Sequence, residues 1–87
     1  MFILSKDGKN FINCNTIENL NMTEEYRQYH QPDKWWEIRA VFSGGSYVVI
    51  DTCHTEQECK NTFNKLCDKI TKSREHETIE MEDLWYD

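Results

Sequence analysis

The chain has 87 residues and a mass of 10.5 kDa, too few to divide an apolar complement between two cores, so one domain is expected. Hydrophobic types make up 38%, charged types 30% and aromatics 13%, with one proline and three glycines, which excludes the collagen-like, Pro/Gly-disordered and membrane-spanning classes. Sixteen acids against ten bases leave a formal charge of −6 and a pI near 5.0, which disfavours direct duplex binding, because that affinity comes mainly from lysines and arginines on phosphates.

The opening Met1-Phe2-Ile3-Leu4-Ser5 turns polar at Lys6, Asp7 and Gly8. No charged and then apolar leader pattern is visible, and the chain is read as cytoplasmic. Its four cysteines are then expected to be free thiols. Two apolar runs, residues 2–5 and 11–14, flank Asp7-Gly8, a pair that tolerates the positive φ angles of a hairpin turn. Ile17, Leu20 and Met22 continue the apolar content without a clean period. Residues 23–34 are polar and are read as a surface excursion, with at most one helical turn before Pro32 stops it.

Trp36, Ile38, Ala40 and Phe42 alternate with Trp35, Glu37, Arg39 and Val41, the signature of a half-buried strand with its even face inward. Ser43-Gly44-Gly45-Ser46 turns the chain, and Tyr47-Val48-Val49-Ile50 returns antiparallel. A two-residue Gly-Gly loop would set Asp51 opposite Ile38, whereas one more loop residue would set Val48 and Ile50 beside Ala40 and Phe42. The second register is preferred.

Thr55-Glu56-Gln57-Glu58 fits a capping box and predicts a helix over 55–72. At 100° per residue, Cys59, Phe63, Leu66, Cys67 and Ile70 fall within an arc of about 100°, a core-facing stripe. Glu56 and Glu58 at its start and Lys65, Lys69 and Lys72 near its end suit the helix dipole. Residues 73–87 then hold six acids and one base, a net −5, whereas residues 1–72 carry a net −1. The acidic stretch also carries Ile79, Met81, Leu84, Trp85 and Tyr86, which a purely solvating tail would not need.

No spacing among Cys14, Cys53, Cys59, Cys67, His30, His54 and His76 forms the paired knuckles of a zinc site, and no metal or cofactor is expected. Cys59 and Cys67, eight helical residues apart, stand about 12 Å from each other, beyond disulfide reach. Cys14 with Cys53 is geometrically open. Cys53 and His54 are neighbours, but successive strand side chains point to opposite faces, so they make a poor nucleophile–base pair. Ser43-Gly44-Gly45-Ser46 lacks the lysine and helix of a phosphate loop. No catalytic residue is assigned.

Eleven aromatics exceed what one small core can hide. Phe2, Phe11, Trp36, Phe42 and Phe63 are assigned to the core, and Tyr26, Tyr29, Trp35, Tyr47, Trp85 and Tyr86 to the surface, where such side chains anchor interfaces. The alternative for Trp85 is that the tail folds back and this indole caps the core.

The order of Ile3-Leu4-Ser5-Lys6-Asp7-Gly8-Lys9, a Gly hairpin ending in Tyr47-Val48-Val49-Ile50, and Thr55-Glu56-Gln57-Glu58-Cys59 is similar to short accessory proteins of low-GC Gram-positive bacteria and their phages and prophages. The resemblance covers roughly residues 1–14 and 38–70; residues 26–34 and the acidic segment depart from it. It implies a phage or mobile-element accessory protein and carries over no catalytic residue.

These readings combine into an α+β fold, a small antiparallel sheet of four or five strands with the amphipathic helix of about 55–72 on one face. Residues 1–72 form the domain and residues 73–87 an acidic edge strand or tail. The expected function is non-enzymatic binding of a basic, nucleic-acid-handling protein, as an anti-CRISPR-like or DNA-mimic-like inhibitor, through Glu75, Glu77, Glu80, Glu82, Asp83, Trp85 and Tyr86. The alternative is a self-associating subunit, a homodimer paired through residues 77–82 as an edge strand. A third reading is a single-strand nucleic-acid binder using Trp35, Tyr47 and the helix lysines.

Overall fold

The computed structural model describes residues 1–27, 33–74 and 76–86. In chain order these form β1 (Phe2–Leu4), β2 (Phe11–Asn13), a 3-10 turn (Cys14–Thr16), β3 (Ile17–Arg27), β4 (Asp33–Phe42), β5 (Tyr47–Cys53), α1 (Glu56–Lys72), β6 (Thr78–Glu80) and a 3-10 helix (Met81–Trp85). The class is α+β with one helix. The strands, however, form two three-stranded sheets, β2-β1-β6 and β3-β4-β5, rather than one sheet of four or five.

The break between the sheets lies at the 3-10 turn. The Asn13 side chain accepts a hydrogen bond from the Asn15 amide at 2.9 Å, and the Thr16 hydroxyl donates to the Asn13 carbonyl at 2.7 Å. These local bonds turn the chain out of the first sheet before β3 begins. That sheet is mixed: β1 runs antiparallel to β2, with Ile3 opposite Ile12, and parallel to β6, with Ile3 beside Ile79. A parallel pair needs a long crossover, here supplied by everything between β1 and β6.

The β1–β2 turn is built around Asp7. Its Oδ1 accepts from the Ser5 hydroxyl at 2.6 Å and from the Lys9 amide at 2.9 Å, which holds the carboxyl below its ordinary range. Gly8 follows with φ +75°, a value that favours glycine.

Residues 23–27 and 33–34, read from sequence as part of a surface excursion, are strand, extending the β3–β4 ladder to the pair Arg27 and Asp33. Cross-strand chemistry explains the length: Glu24 pairs with Lys34, Glu25 with Arg39, and the Arg27 guanidinium sits over the Trp35 ring at 5.7 Å. Beyond the reach of the helix both faces of this hairpin are polar, so no apolar alternation marks it. The proposed turn of helix before Pro32 falls within residues 28–32, outside the described residues. The missing period of Ile17, Leu20 and Met22 also has a cause. The pairing with β4 shifts between Ile17 and Asn19, and the inserted Glu18 offsets Ile17 from Leu20 and Met22 on the inner face.

Each candidate register of β4 with β5 is met only in part, and Ile50 stands beside neither Ala40 nor Phe42. Near the turn Val48 stands opposite Ala40 and Val49 opposite Arg39, and beyond a bulge at Ile50 Asp51 stands opposite Ile38. The extra residue makes Ile50 and Asp51 consecutive buried positions.

Helix α1 starts where the capping motif places it, with the Glu58 amide donating to the Thr55 hydroxyl at 3.1 Å. Its buried residues are Cys59, Thr62 and Leu66, with Phe63 and Ile70 packed beside them. The inward arc is therefore centred nearer Leu66 than expected, and Cys67, placed on the stripe from sequence, is exposed.

The core is aliphatic and sulfur-bearing: Ile3, Ile12, Ile38, Ala40, Ile50, Cys53, Cys59, Leu66, Ile79, Met81 and Leu84. Trp36, Phe42 and Phe63 pack against its margin, while Phe11, expected inside, is 61% exposed. Residues on both sides of position 72 share this one core. At about 2 kcal/mol each, Ile79, Met81 and Leu84 supply on the order of 6 kcal/mol of apolar burial, comparable to the whole stability of a small domain. A chain ended at Lys72 is accordingly expected not to fold, read as loss of near-UV circular dichroism and of a cooperative urea transition.

Candidate functional site

The C-terminal segment buries its apolar residues and leaves its acids outside. Ile79, Met81 and Leu84 are buried, while Glu77, Glu80, Glu82 and Asp83 are exposed. The inward residues anchor a short scaffold on which the carboxylates stand. The Phe2 amide donates to the Glu77 carbonyl at 3.0 Å, β6 pairs with β1, and the Lys65 ammonium donates to the Leu84 carbonyl at 3.0 Å. Glu75 lies outside the described residues. Tyr86 is 81% exposed.

Trp85 is not a free anchor. Its indole N–H donates to Asp51 Oδ2 at 2.7 Å, and the Lys6 ammonium lies 3.5 Å from the ring centroid. The indole is half-buried against the core, as in the capping alternative. The apolar component beside the carboxylates comes instead from residues assigned to the core from sequence. Because Ile3, Ile12 and Ile79 point inward, Phe2, Leu4, Phe11, Thr78 and Glu80 share the outer face of the β2-β1-β6 sheet. Phe2 and Phe11 stack with centroids 4.8 Å apart and planes at 8°, and Glu80 is level with Leu4. Strands of three residues carry too little alternation to reveal which face is buried, and the signal that was available, isoleucine at each strand centre, is weak.

Asp51 is the other notable group. It is 3% exposed, and the bulge turns it inward, where it accepts from Trp85 and, through Oδ1, from the Thr52 amide at 2.8 Å. Burial pushes its carboxyl above the ordinary value near 3.8, opposed by those two hydrogen bonds and by the Lys6 charge. An open cleft of about 610 Å³ adjoins this corner, lined by Lys6, Asp7, Glu37, Val49 and Asp51 among others. Both Asp51 oxygens already accept hydrogen bonds, an arrangement suited to fixing Trp85 rather than to moving protons.

Cys53 and His54 do not form a dyad: Cys53 is buried and His54 exposed. All four cysteines are free. Burial pushes the Cys53 thiol up to about 12, with the neighbouring Cys59 and Asp51 adding to the shift, and burial also raises Cys59. Both behave as core sulfurs. No group of three or more metal-ligating side chains occurs among the described residues. No helix among them is long and apolar enough to cross a membrane.

The surface imagined for a single strand is divided. Helix α1 covers the face of the β3-β4-β5 sheet that carries Ile38 and Ala40, whereas Trp35, Arg39 and Tyr47 lie on the opposite face. There Arg39 is bound to Glu37 and Glu25 and stacks over Tyr47 at 4.2 Å, and the Trp35 indole donates to Glu37 at 3.0 Å. The helix lysines and these aromatics cannot line one groove.

Two outcomes follow from the burial of Asp51 and the cysteines. A carboxyl whose folded pKa is raised favours the fold most when protonated, so its contribution falls as pH rises from its ordinary value through its folded value. The stability of D51N relative to the natural chain should therefore increase between about pH 3 and pH 7, measured by urea unfolding at each pH. In iodoacetamide labelling of the folded protein, Cys67 should react first, and Cys53 and Cys59 only on unfolding, read by peptide mass spectrometry. No family model, no curated protein and no solved structure matches this chain.

Proposed function

We propose that this chain is a non-enzymatic acidic binding protein that docks on a basic, nucleic-acid-handling protein, as a phage-type inhibitor of the anti-CRISPR-like or DNA-mimic-like kind. The observation that carries this reading is the arrangement of the C-terminal segment. Glu77, Glu80, Glu82 and Asp83 are exposed on a backbone that Ile79, Met81 and Leu84 lock into the core, beside the outward Phe2, Leu4 and Phe11. Carboxylates held in place lose little conformational freedom on binding. They oppose a groove built for phosphate, and the apolar strip provides the area that charge alone does not. The contact set is thus Glu77, Glu80, Glu82, Asp83 and Tyr86 with Phe2, Leu4 and Phe11, and Trp85 acts from beneath by fixing the segment.

Truncation removes core residues and cannot test this, so the surface charges are changed instead. The natural chain and the fourfold variant E77Q/E80Q/E82Q/D83N are compared as baits in a bacterial lysate, with captured proteins identified by mass spectrometry across a salt series. The natural chain is expected to capture a basic nucleic-acid enzyme that elutes with rising salt, and the equally folded variant to lose most of it. Equal capture by both chains would remove the acidic face from the interface.

A further inference from the structure

The second sheet ends in an uncovered edge of unusual length. Strand β3 has eleven residues and only β4 beside it, about twice the usual strand length. Apart from Ile17, whose amide bonds the Cys14 carbonyl, it shows no backbone hydrogen bond outside the β4 ladder among the described residues. The other edges are shorter. β2 and β6 have three residues each, and β5 has its Ile50 carbonyl taken by the Lys6 amide at 2.9 Å.

Edges are ordinarily guarded by charge, and β3 carries Glu18, Glu24 and Glu25. Two of these are neutralised within their own sheet, Glu24 by Lys34 and Glu25 by Arg39. The guard is thereby weakened along the outer half of the strand. Next to the same edge lies a groove of about 270 Å³ whose apolar lining is Cys14, Ile17, Leu20 and, from α1, Ile70, with Glu18 and Asn19 on its rim. Tyr26, 53% exposed, stands at the opposite end of β3 on the face shared with Leu20 and Met22.

We propose that two copies of this chain pair antiparallel along β3 about a two-fold axis at Met22, joining their sheets into one of six strands. Met22 is the midpoint of residues 17–27, so this register pairs the regular stretch from Asn19 to Glu25, with the bulge at Glu18 at its margin. It sets Asn21 opposite Thr23, Leu20 opposite Glu24 and Asn19 opposite Glu25 of the second copy, with no like charges facing each other. It also brings Tyr26 of the second copy beside Glu18, over the groove between Ile17, Leu20 and Ile70, and the symmetric contact forms at the other end. β3 itself carries Glu18, Glu24 and Glu25 against Arg27, with Glu24 and Glu25 paired within the sheet, so the pairing edge is not strongly charged. This interface is independent of the acidic face. Because each copy carries −6, screening should strengthen self-pairing, whereas it weakens docking on a basic partner.

The test is sedimentation equilibrium of the full chain over a wide concentration range, at low and high salt, for the natural protein and N19E, N19K and Y26A. Asn19 and Tyr26 are exposed, and circular dichroism confirms that each variant is folded. The expected result is a mass rising from 10.5 kDa to twice that value, more readily at high salt. N19E, which faces Glu25 twice per dimer, should weaken pairing roughly tenfold and N19K should strengthen it several-fold. Y26A should weaken it roughly tenfold by emptying the groove. Amide exchange should slow with concentration in β3. A mass that stays at the monomer value, a dimer indifferent to all three substitutions, or protection arising in β2 or β6 instead would overturn the proposal.

Discussion

One inserted residue in β5 organises the junction of the whole molecule. Without the bulge at Ile50, strict alternation would send Asp51 to the solvent side of its sheet. With it, the carboxylate turns inward and meets the indole N–H of Trp85. The same bulged residue offers its carbonyl to the Lys6 amide, and the Lys6 side chain lies across the other side of that indole. Three segments remote in sequence, the first turn, the end of β5 and the C-terminal 3-10 helix, therefore converge on a single backbone irregularity. The two sheets would otherwise be linked mainly through their shared core.

A buried carboxylate is expensive unless its oxygens are met by donors. Here each oxygen has one, from an indole and from a backbone amide, and a lysine is close by. The raised affinity of Asp51 for a proton shows that this compensation is incomplete. Its value is directional: an apolar pair at this position would give area, but only an acceptor in this orientation selects the one rotation of Trp85 that aligns the last turn. The acidic face depends on this arrangement, because the outward glutamates are positioned by a segment that Trp85 fastens at its far end.

Much of this was readable in the sequence where local chemistry decides the outcome. The Thr55 cap, the charge gradient along α1, the Asp7-Gly8 turn and the even face of β4 each follow from a few adjacent residues. What sequence could not show depends on partners brought from elsewhere. The β4–β5 bulge combines the pairing of Val48 with Ala40 and that of Asp51 with Ile38, which no uniform register allows. The polar hairpin ends of β3 and β4 are strands because Glu24, Glu25 and Arg27 find Lys34, Arg39 and Trp35 across the ladder, and none of these pairings has a signature along one strand. The same holds for the acidic segment: its charge was plain, but the destination of its apolar residues was not. Trp85 went inward and Phe11 outward, a reversal of the roles that size and position suggested.

The parallel pairing of β1 with β6 joins residues 2–4 to residues 78–80, far apart in sequence. Loop closure over such a distance is slow relative to local hairpins. During synthesis β1 emerges with one edge available to β2 and the other unmatched, and its inward Ile3 has no Ile79 beside it until residues 78–80 have been added. The hairpins and α1 can assemble earlier, but the shared core closes only with β6. The segment bearing most of the negative charge is thus also the one whose arrival completes the domain, so an incomplete chain would display neither a finished fold nor a finished surface.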